Sequence, residues 1–279
     1  MLRFEDASAT IRESVPAELV DAVAAVTALG DPAVLTLLLA LVYWLYRRDA
    51  TATVVGYAFV AFAVTLLLKN GLAMPRPPES VHRIETSGYG FPSGHAIAGV
   101  VVYGGLALEF DWLDESPKAL AMGVVAVSVG LSRVALGVHY LGDVLVGFGV
   151  GAVVLAAGYG LWSERPGRAY VAAAVLAVPA IVVADAGADA VALLGYSLGG
   201  AVGLRAVEPV VPSRDAVEAA TLAVAGLAFL VSMAVAESAV TSVPGGTFFH
   251  SAALVAGILA LPAVFARVGV ADATSPGTE

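Results

Sequence analysis

The sequence predicts an all-α fold: a polytopic transmembrane helical bundle of about nine spans, with an N-terminal interfacial amphipathic helix. Three observations predict it. Hydrophobic residues make up 59% of the 279 residues and charged ones only 13%, against roughly 25% charged in soluble domains. The apolar residues come in long blocks rather than alternating with polar ones, as membrane spans require. Most of those blocks also lack the polar face that a helix on a soluble core carries.

Taken in order, the chain opens with MLRFEDASATIRES, where acids are mixed with arginines and no apolar stretch follows. No cleavable signal peptide is expected there, and insertion would rely on the first transmembrane helix. In residues 16–29, Pro16 suits a first helical turn, Leu19, Val20, Val23 and Val26 share one face, and Glu18 and Asp21 lie off it. This helix is too short to span and is expected to lie at the interface, ending at Gly30-Asp31-Pro32. Apolar segments then recur at about 33–46, 51–68, 95–110, 118–135, 141–162, 168–184, 188–206, 215–236 and 248–267. The first is shorter than the ~20 residues an untilted span needs. Gly147-x-x-x-Gly151, Gly195-x-x-x-Gly199 and Gly199-x-x-x-Gly203 mark close helix approach. No internal repeat is visible. The tail ADATSPGTE, residues 271–279, is predicted to be disordered.

Charge sets the orientation. Arg47, Arg48, Lys118, Arg165, Arg168, Arg205, Arg214 and Arg267 all fall on one side of a nine-span layout, which the positive-inside rule makes cytoplasmic. The loops near 185–188 and 237–247 on the other side carry no Lys or Arg. Lys69, Arg76, Arg83 and Arg133 are the exceptions there, clustered in two loops, and an anionic ligand is the obvious reason. The formal net charge of −9 excludes nucleic acid as an expected partner. With lysine present only at positions 69 and 118, the acidic balance also suits a protein facing concentrated salt. The absence of cysteine excludes disulfides and thiolate metal sites.

Three polar stretches share that outer side: KNGLAMPRP, with Lys69, Arg76 and Pro77; FPSGH, with Ser93, Gly94 and His95; and SRVALGVHYLGD, with Arg133, His139 and Asp143. Arginine forks match phosphate oxygens and lysine adds a point charge. Ser93 and Gly94 open a helix whose first N–H groups are unpaired and favour a phosphate, and Gly94 lets the backbone come close. His139 and Asp143, four apart, share a helical face. A carboxylate on one ring nitrogen fixes the tautomer and leaves the other nitrogen as a nucleophile. His95 is then free to donate a proton. Singly, each has a plainer account as an interfacial anchor, a helix cap or a structural histidine. Together, at fixed spacings on one face, they read as a phosphate-handling site.

Lys69-x6-Arg76-Pro77, Pro92-Ser93-Gly94-His95 and Ser132-Arg133-x5-His139-x3-Asp143 resemble the three-part signature of the type 2 phosphatidic acid phosphatase superfamily, with every signature position present. The resemblance is expected to cover residues 1–165 as a catalytic core, leaving 166–270 as additional C-terminal transmembrane helices. It implies a metal-independent phosphatase that needs no cofactor. In it His139 attacks phosphorus to form a phosphohistidine, Asp143 orients His139, and His95 protonates the leaving oxygen and then activates water. Lys69, Arg76, Ser93, Gly94 and Arg133 would hold the phosphoryl oxygens.

The expected substrate is a lipid phosphate in the bilayer: polyprenyl diphosphate, phosphatidylglycerophosphate or phosphatidate. A multi-pass cell-membrane protein with an extracytoplasmic site is expected, and that placement leans toward the polyprenyl carrier. The alternatives are a sugar-phosphate phosphatase, a vanadate-dependent haloperoxidase, and a non-hydrolytic phospholipid or phosphate transporter. His82, in the site loop with Arg83 and Glu85, is a possible substrate contact. Gly195-Tyr-Ser197-Leu-Gly199 matches a serine-hydrolase elbow, but it lies inside an apolar small-residue helix and is better explained by packing. Asp185 and Asp189, and the inner loop with Glu109, Asp111, Asp114 and Glu115, are expected to be solvated, and His250 to sit at the membrane interface.

Overall fold

The computed structural model describes residues 3–163, 165–206 and 216–274. Arg214 and positions 275–279 of the expected tail lie outside the described residues. Every apolar segment anticipated from the sequence is a helix: α3 (Pro32–Leu45), α4 (Arg48–Leu72), α5 (Gly94–Glu109), α6 (Ser116–Ala135), α7 (Leu141–Trp162), α8 (Pro166–Val183), α9 (Ala188–Ala206), α10 (Ala216–Thr241) and α11 (Gly246–Thr274). Ahead of them stand α1 (Glu5–Glu13) and α2 (Val20–Ala28). No strand occurs among the described residues. Positions 271–274, assigned to the disordered tail, continue α11.

The helix starts follow local chemistry. Asp31 caps α3 by accepting the Ala33 N–H at 2.9 Å, with Pro32 in the first turn, where its missing N–H costs nothing. Pro117 and Pro166 open α6 and α8 in the same way. Among the described residues six helices are long and apolar enough to cross a membrane: α4, α6, α7, α8, and most of α10 and α11. The stretch 17–28 and α3, bent by 51° at the Gly30-Asp31 break, together make a possible seventh span. The count is therefore six or seven where about nine were expected. Two fall short in length, α3 with 14 residues and α5 with 16, against the ~20 of an untilted span; the 19-residue α9 is long enough, but its Gly-Tyr-Ser-Leu-Gly-Gly stretch with Asp189 and Arg205 leaves it less apolar.

α4 is shared between two groups of helices. It packs with α5 and α7 in one group and with α8 and α9 in the other. Tyr57, Val60, Ala61, Ile97, Val101, Val154, Ala169 and Ala173 form the buried cluster joining them. The C-terminal helices are bonded into this frame. Tyr170 donates to the Ala52 carbonyl at 2.9 Å, Trp44 Nε1 to Ile258 at 2.9 Å and Tyr43 to Leu259 at 3.0 Å. The glycine ridge on α9 works as expected: a methyl at Gly195, Gly199 or Gly203 would run into α11 at Phe248, Ala252 or Ala256. Ser197 is buried in that ridge and donates to Leu193 O at 2.8 Å.

Two expectations change. Glu109 is not simply hydrated, because it accepts the Tyr57 hydroxyl at 2.7 Å. His250 is buried and paired through Nε2 with the Met233 carbonyl of α10 at 2.9 Å, tying two helices together. Asp185 and Asp189 are exposed, as anticipated.

Candidate active site

The three polar stretches meet at one end of the bundle. Lys69 closes α4, Ser93 and Gly94 open α5, Arg133 closes α6, and Asp143 sits in the first turn of α7. Alternating helix directions bring those ends together. Arg47, Asp111 and Lys118 occupy the opposite ends, where Arg47 faces Asp111 at 3.5 Å and Lys118 faces Glu115 at 2.6 Å.

Loop 73–93 is folded down onto the turn that carries His139. Arg83 N–H donates to Leu136 O at 3.0 Å, and Gly90 N–H to Met74 O at 2.8 Å. Gly137 adopts φ +75° where a Cβ would collide with Val81 O, so only glycine fits. Ser93 is the N-cap of α5, its Oγ facing the Ala96 N–H at 3.4 Å. Its own N–H donates to Asp143 O at 3.0 Å, locking the α5 start to the α7 start. Gly94 lets α4 approach: a Cβ there would lie 3.2 Å from Thr65 and 3.7 Å from the Lys69 stem. The N–H groups of Gly94 and His95 have no acceptor within the helix, by helix geometry.

His139 is buried, at 2% exposure, and Asp143 fully so. His139 Nδ1 faces Asp143 Oδ2 at 3.4 Å, and its Nε2 faces Arg76 Nη1 at 3.0 Å. A guanidinium has no acceptor. Nε2 therefore carries the lone pair, and Nδ1 carries the hydrogen that points at Asp143. Burial, joined by the charges of Arg76, Lys69 and Arg133, pushes the imidazole down to about 3, against the Asp143 hydrogen bond that raises it. Arg76 is held from both sides. It donates to Ser87 O at 2.9 Å, Gly88 O at 3.0 Å and Val138 O at 3.0 Å.

Arg133 is buried and donates to Thr27 Oγ1 at 3.1 Å, while its Nε finds no acceptor among the described residues. Lys69 Nζ donates to Tyr89 O at 2.6 Å. His95 lies in the field of Arg133, His139, Lys69 and Arg76, and Gly30 packs on its ring, 3.1 Å from where a Cβ would sit. His82 is the outlier of the predicted set: its Nε2 pairs with Pro77 O at 2.9 Å and steadies the loop. Among the described residues no three His, Asp or Glu side chains gather as metal ligands.

Two participants escaped sequence reasoning. Arg3 forms a two-pronged ion pair with Asp143, and Thr27 of α2 receives Arg133. The helix expected at the interface thus packs against α6 and reaches the site. A signal for Arg3 did exist. In the expected orientation residues ahead of the first span share the side of Lys69, Arg76, Arg83 and Arg133, so Arg3 and Arg12 group with those cations.

A buried His–Asp pair ringed by cations, at one end of a helical membrane bundle, defines a class of site. Comparison with known proteins finds similar chains. Residues 49–166 match the PAP2 superfamily. Phosphatidylglycerophosphatase B of Bacillus subtilis (strain 168) is 36% identical over 94 residues, covering 32% of this chain and 46% of that protein. Decaprenylphosphoryl-5-phosphoribose phosphatase of Mycobacterium tuberculosis is 38% identical over 112 residues, covering 39% of this chain and 58% of the relative. The chain thus spans about half the length of the curated relatives it matches. A crystal structure of a transmembrane PAP2-type phosphatidylglycerolphosphate phosphatase from Bacillus subtilis aligns with TM-score 0.49 at 24% identity, over 57% of this chain and 83% of that one.

Proposed function

We propose that this protein is an integral membrane phosphatase that hydrolyses the phosphate ester or diphosphate of a lipid through a phosphohistidine, at a site facing the non-cytoplasmic side. The observation that carries the reading is the buried His139, with its hydrogen toward Asp143 and its lone pair on Nε2 against Arg76. That arrangement suits a nucleophile held next to a phosphate-binding cation.

His139 Nε2 gives its lone pair to phosphorus while the bond from phosphorus to the leaving oxygen breaks. His95 takes up a proton as the phosphate anion is bound beside it and gives that proton to the leaving oxygen. His95 then takes a proton from water, the water oxygen attacks phosphorus, and the P–N bond breaks. Inorganic phosphate leaves and His139 regains its lone pair. As substrate enters, Arg76 exchanges its contact with Nε2 for a phosphoryl oxygen, and a second oxygen satisfies Arg133 Nε, a buried donor otherwise costly to leave unpaired. Lys69, Arg76, Arg133 and the N–H groups of Gly94 and His95 supply the positive field that a metal would otherwise provide. The division of the chain follows the same reading: 1–165 form the catalytic core, and 166–270 buttress it through α4.

Both named relatives bear the name of a phosphate carried on a lipid. The position of the site, where several helices end, suits a phosphate at head-group level with its tail in the bilayer. The test is phosphate release from purified protein over polyprenyl diphosphate, phosphatidylglycerophosphate, phosphatidate and glucose 6-phosphate. Lipid phosphates should turn over, chelators should have no effect, and His139→Ala should lose about 10⁴-fold or more. Preference for the sugar phosphate would overturn the lipid assignment. Phosphate binding without release would make the protein a carrier, and inhibition by EDTA would sink the metal-free mechanism.

A further inference from the structure

Asp143 has more partners than its histidine. Arg3 Nε donates to Oδ1 at 2.9 Å and Arg3 Nη2 to Oδ2 at 2.9 Å. The Tyr140 N–H donates to Oδ2 at 3.0 Å, and His139 Nδ1 stands further off at 3.4 Å. A fork of two parallel N–H bonds fixes the plane of a carboxylate as well as its charge. The geometry at His139 therefore depends on a residue 140 positions from Asp143 in sequence.

The segment that carries Arg3 is itself built onto the catalytic turn. Gly142 N–H donates to Arg3 O at 3.2 Å, and Leu141 N–H to Ser8 Oγ at 2.8 Å. These are the first two N–H groups of α7, which no carbonyl of that helix can satisfy. Arg83 clamps the far end of the segment by donating to Arg12 O at 2.9 Å and Val15 O at 2.8 Å. The Arg3 guanidinium lies 4.4 Å from the centre of the Tyr140 ring. Ile11 packs on the cluster of Ala96, Val134 and Val144, which underlies both α5 and α7.

We propose that Arg3 is a positioning residue of the catalytic centre: it holds the Asp143 carboxylate so that Oδ2 is presented to His139 Nδ1. The inference rests on the reading of His139 as nucleophile. Without Arg3 the buried carboxylate loses its fork and turns between Tyr140 N–H and His139, and the imidazole loses its fixed orientation. The phosphate-binding cations Lys69, Arg76 and Arg133 touch none of these bonds, so the loss belongs in kcat.

The test compares wild type with Arg3→Ala, Arg3→Lys, Asp143→Asn and the Arg3→Ala/Asp143→Asn pair, using His139→Ala as blank. Size-exclusion profiles and melting in detergent check the fold. Arg3→Ala should lower kcat by about 10- to 100-fold, with KM moving less than about threefold. Arg3→Lys, a point charge in place of a fork, should recover part of the loss. In the Asp143→Asn background, read over long incubations, removing Arg3 should cost nothing further. If Arg3→Ala fails to fold, the kcat of folded Arg3→Lys decides instead. Wild-type kcat in the folded variants overturns the proposal. So does an equal loss in both backgrounds, which would mean that Arg3 acts on the fold and not through Asp143. Turnover surviving in His139→Ala would instead overturn the nucleophile reading beneath it.

Discussion

The proton inventory of His139 has a measurable consequence. Its ring is pushed down to about 3, whereas an exposed histidine titrates near 6.5. Between those values the unfolded chain binds a proton that the folded chain refuses, so stability rises with pH across the window and falls as pH drops below 6.5. At pH 5 this single group costs about 2 kcal/mol relative to pH 7. The His139→Gln protein should therefore lose less melting temperature between pH 7 and pH 5 than the native protein, measured by thermal unfolding in detergent. Equal slopes would mean that the folded imidazole titrates as it does in the unfolded chain. The pairing of His139 with Asp143 was legible in the sequence because the two are four residues apart, although His139 lies in the turn ahead of α7 and not on a face of that helix. The pairing of Asp143 with Arg3 was not, because nothing local relates residues from opposite ends of the catalytic region.

Among the elements, small residues at helix crossings place the site. A Cβ on Gly147 of α7 would lie 2.8 Å from Ser93 O and 2.9 Å from the Ala96 side chain. A Cβ on Gly199 of α9 would strike Ala252 of α11, far in sequence from the catalytic stretches. Overpacking of either crossing costs about 1–3 kcal/mol. Gly147→Ala and Gly199→Ala should thus both lower the melting temperature. Only Gly147→Ala also moves α7 against the α5 cap, where a shift of about 1 Å can cost about 100-fold in rate. Activity per folded molecule, measured below both melting transitions, separates them: wild-type turnover in Gly147→Ala would mean that the α5–α7 crossing does not set the site. The Gly-x-x-x-Gly spacings announced these crossings in the sequence. They did not announce partners, since the same pattern on α7 and α9 meets α5 in one case and α11 in the other.

For the whole molecule, the end that carries Lys69, Arg76, Ser93, Arg133 and Asp143 is opposite the end that carries Arg47 and Lys118. The chain contains no cysteine, so a single engineered thiol reports which end faces outward. Glu79→Cys in the exposed site loop should react with an impermeant maleimide in intact cells, and Asp114→Cys at the other end only after lysis. The reverse pattern would invert the proposed orientation. Composition and the length of the apolar blocks determined the helical membrane class by themselves, because burying backbone in lipid leaves few alternatives to helices. Fixed local spacing likewise marked the cations and the His–Asp pair, since residues four apart at a helix start stay close together. Only the tertiary structure decided that α2 and α1 close over the site, that Arg76 covers the His139 lone pair, and that Arg3 shares the Asp143 carboxylate. Those contacts are made by side chains whose partners are chosen by packing, and packing has no period that a sequence can display.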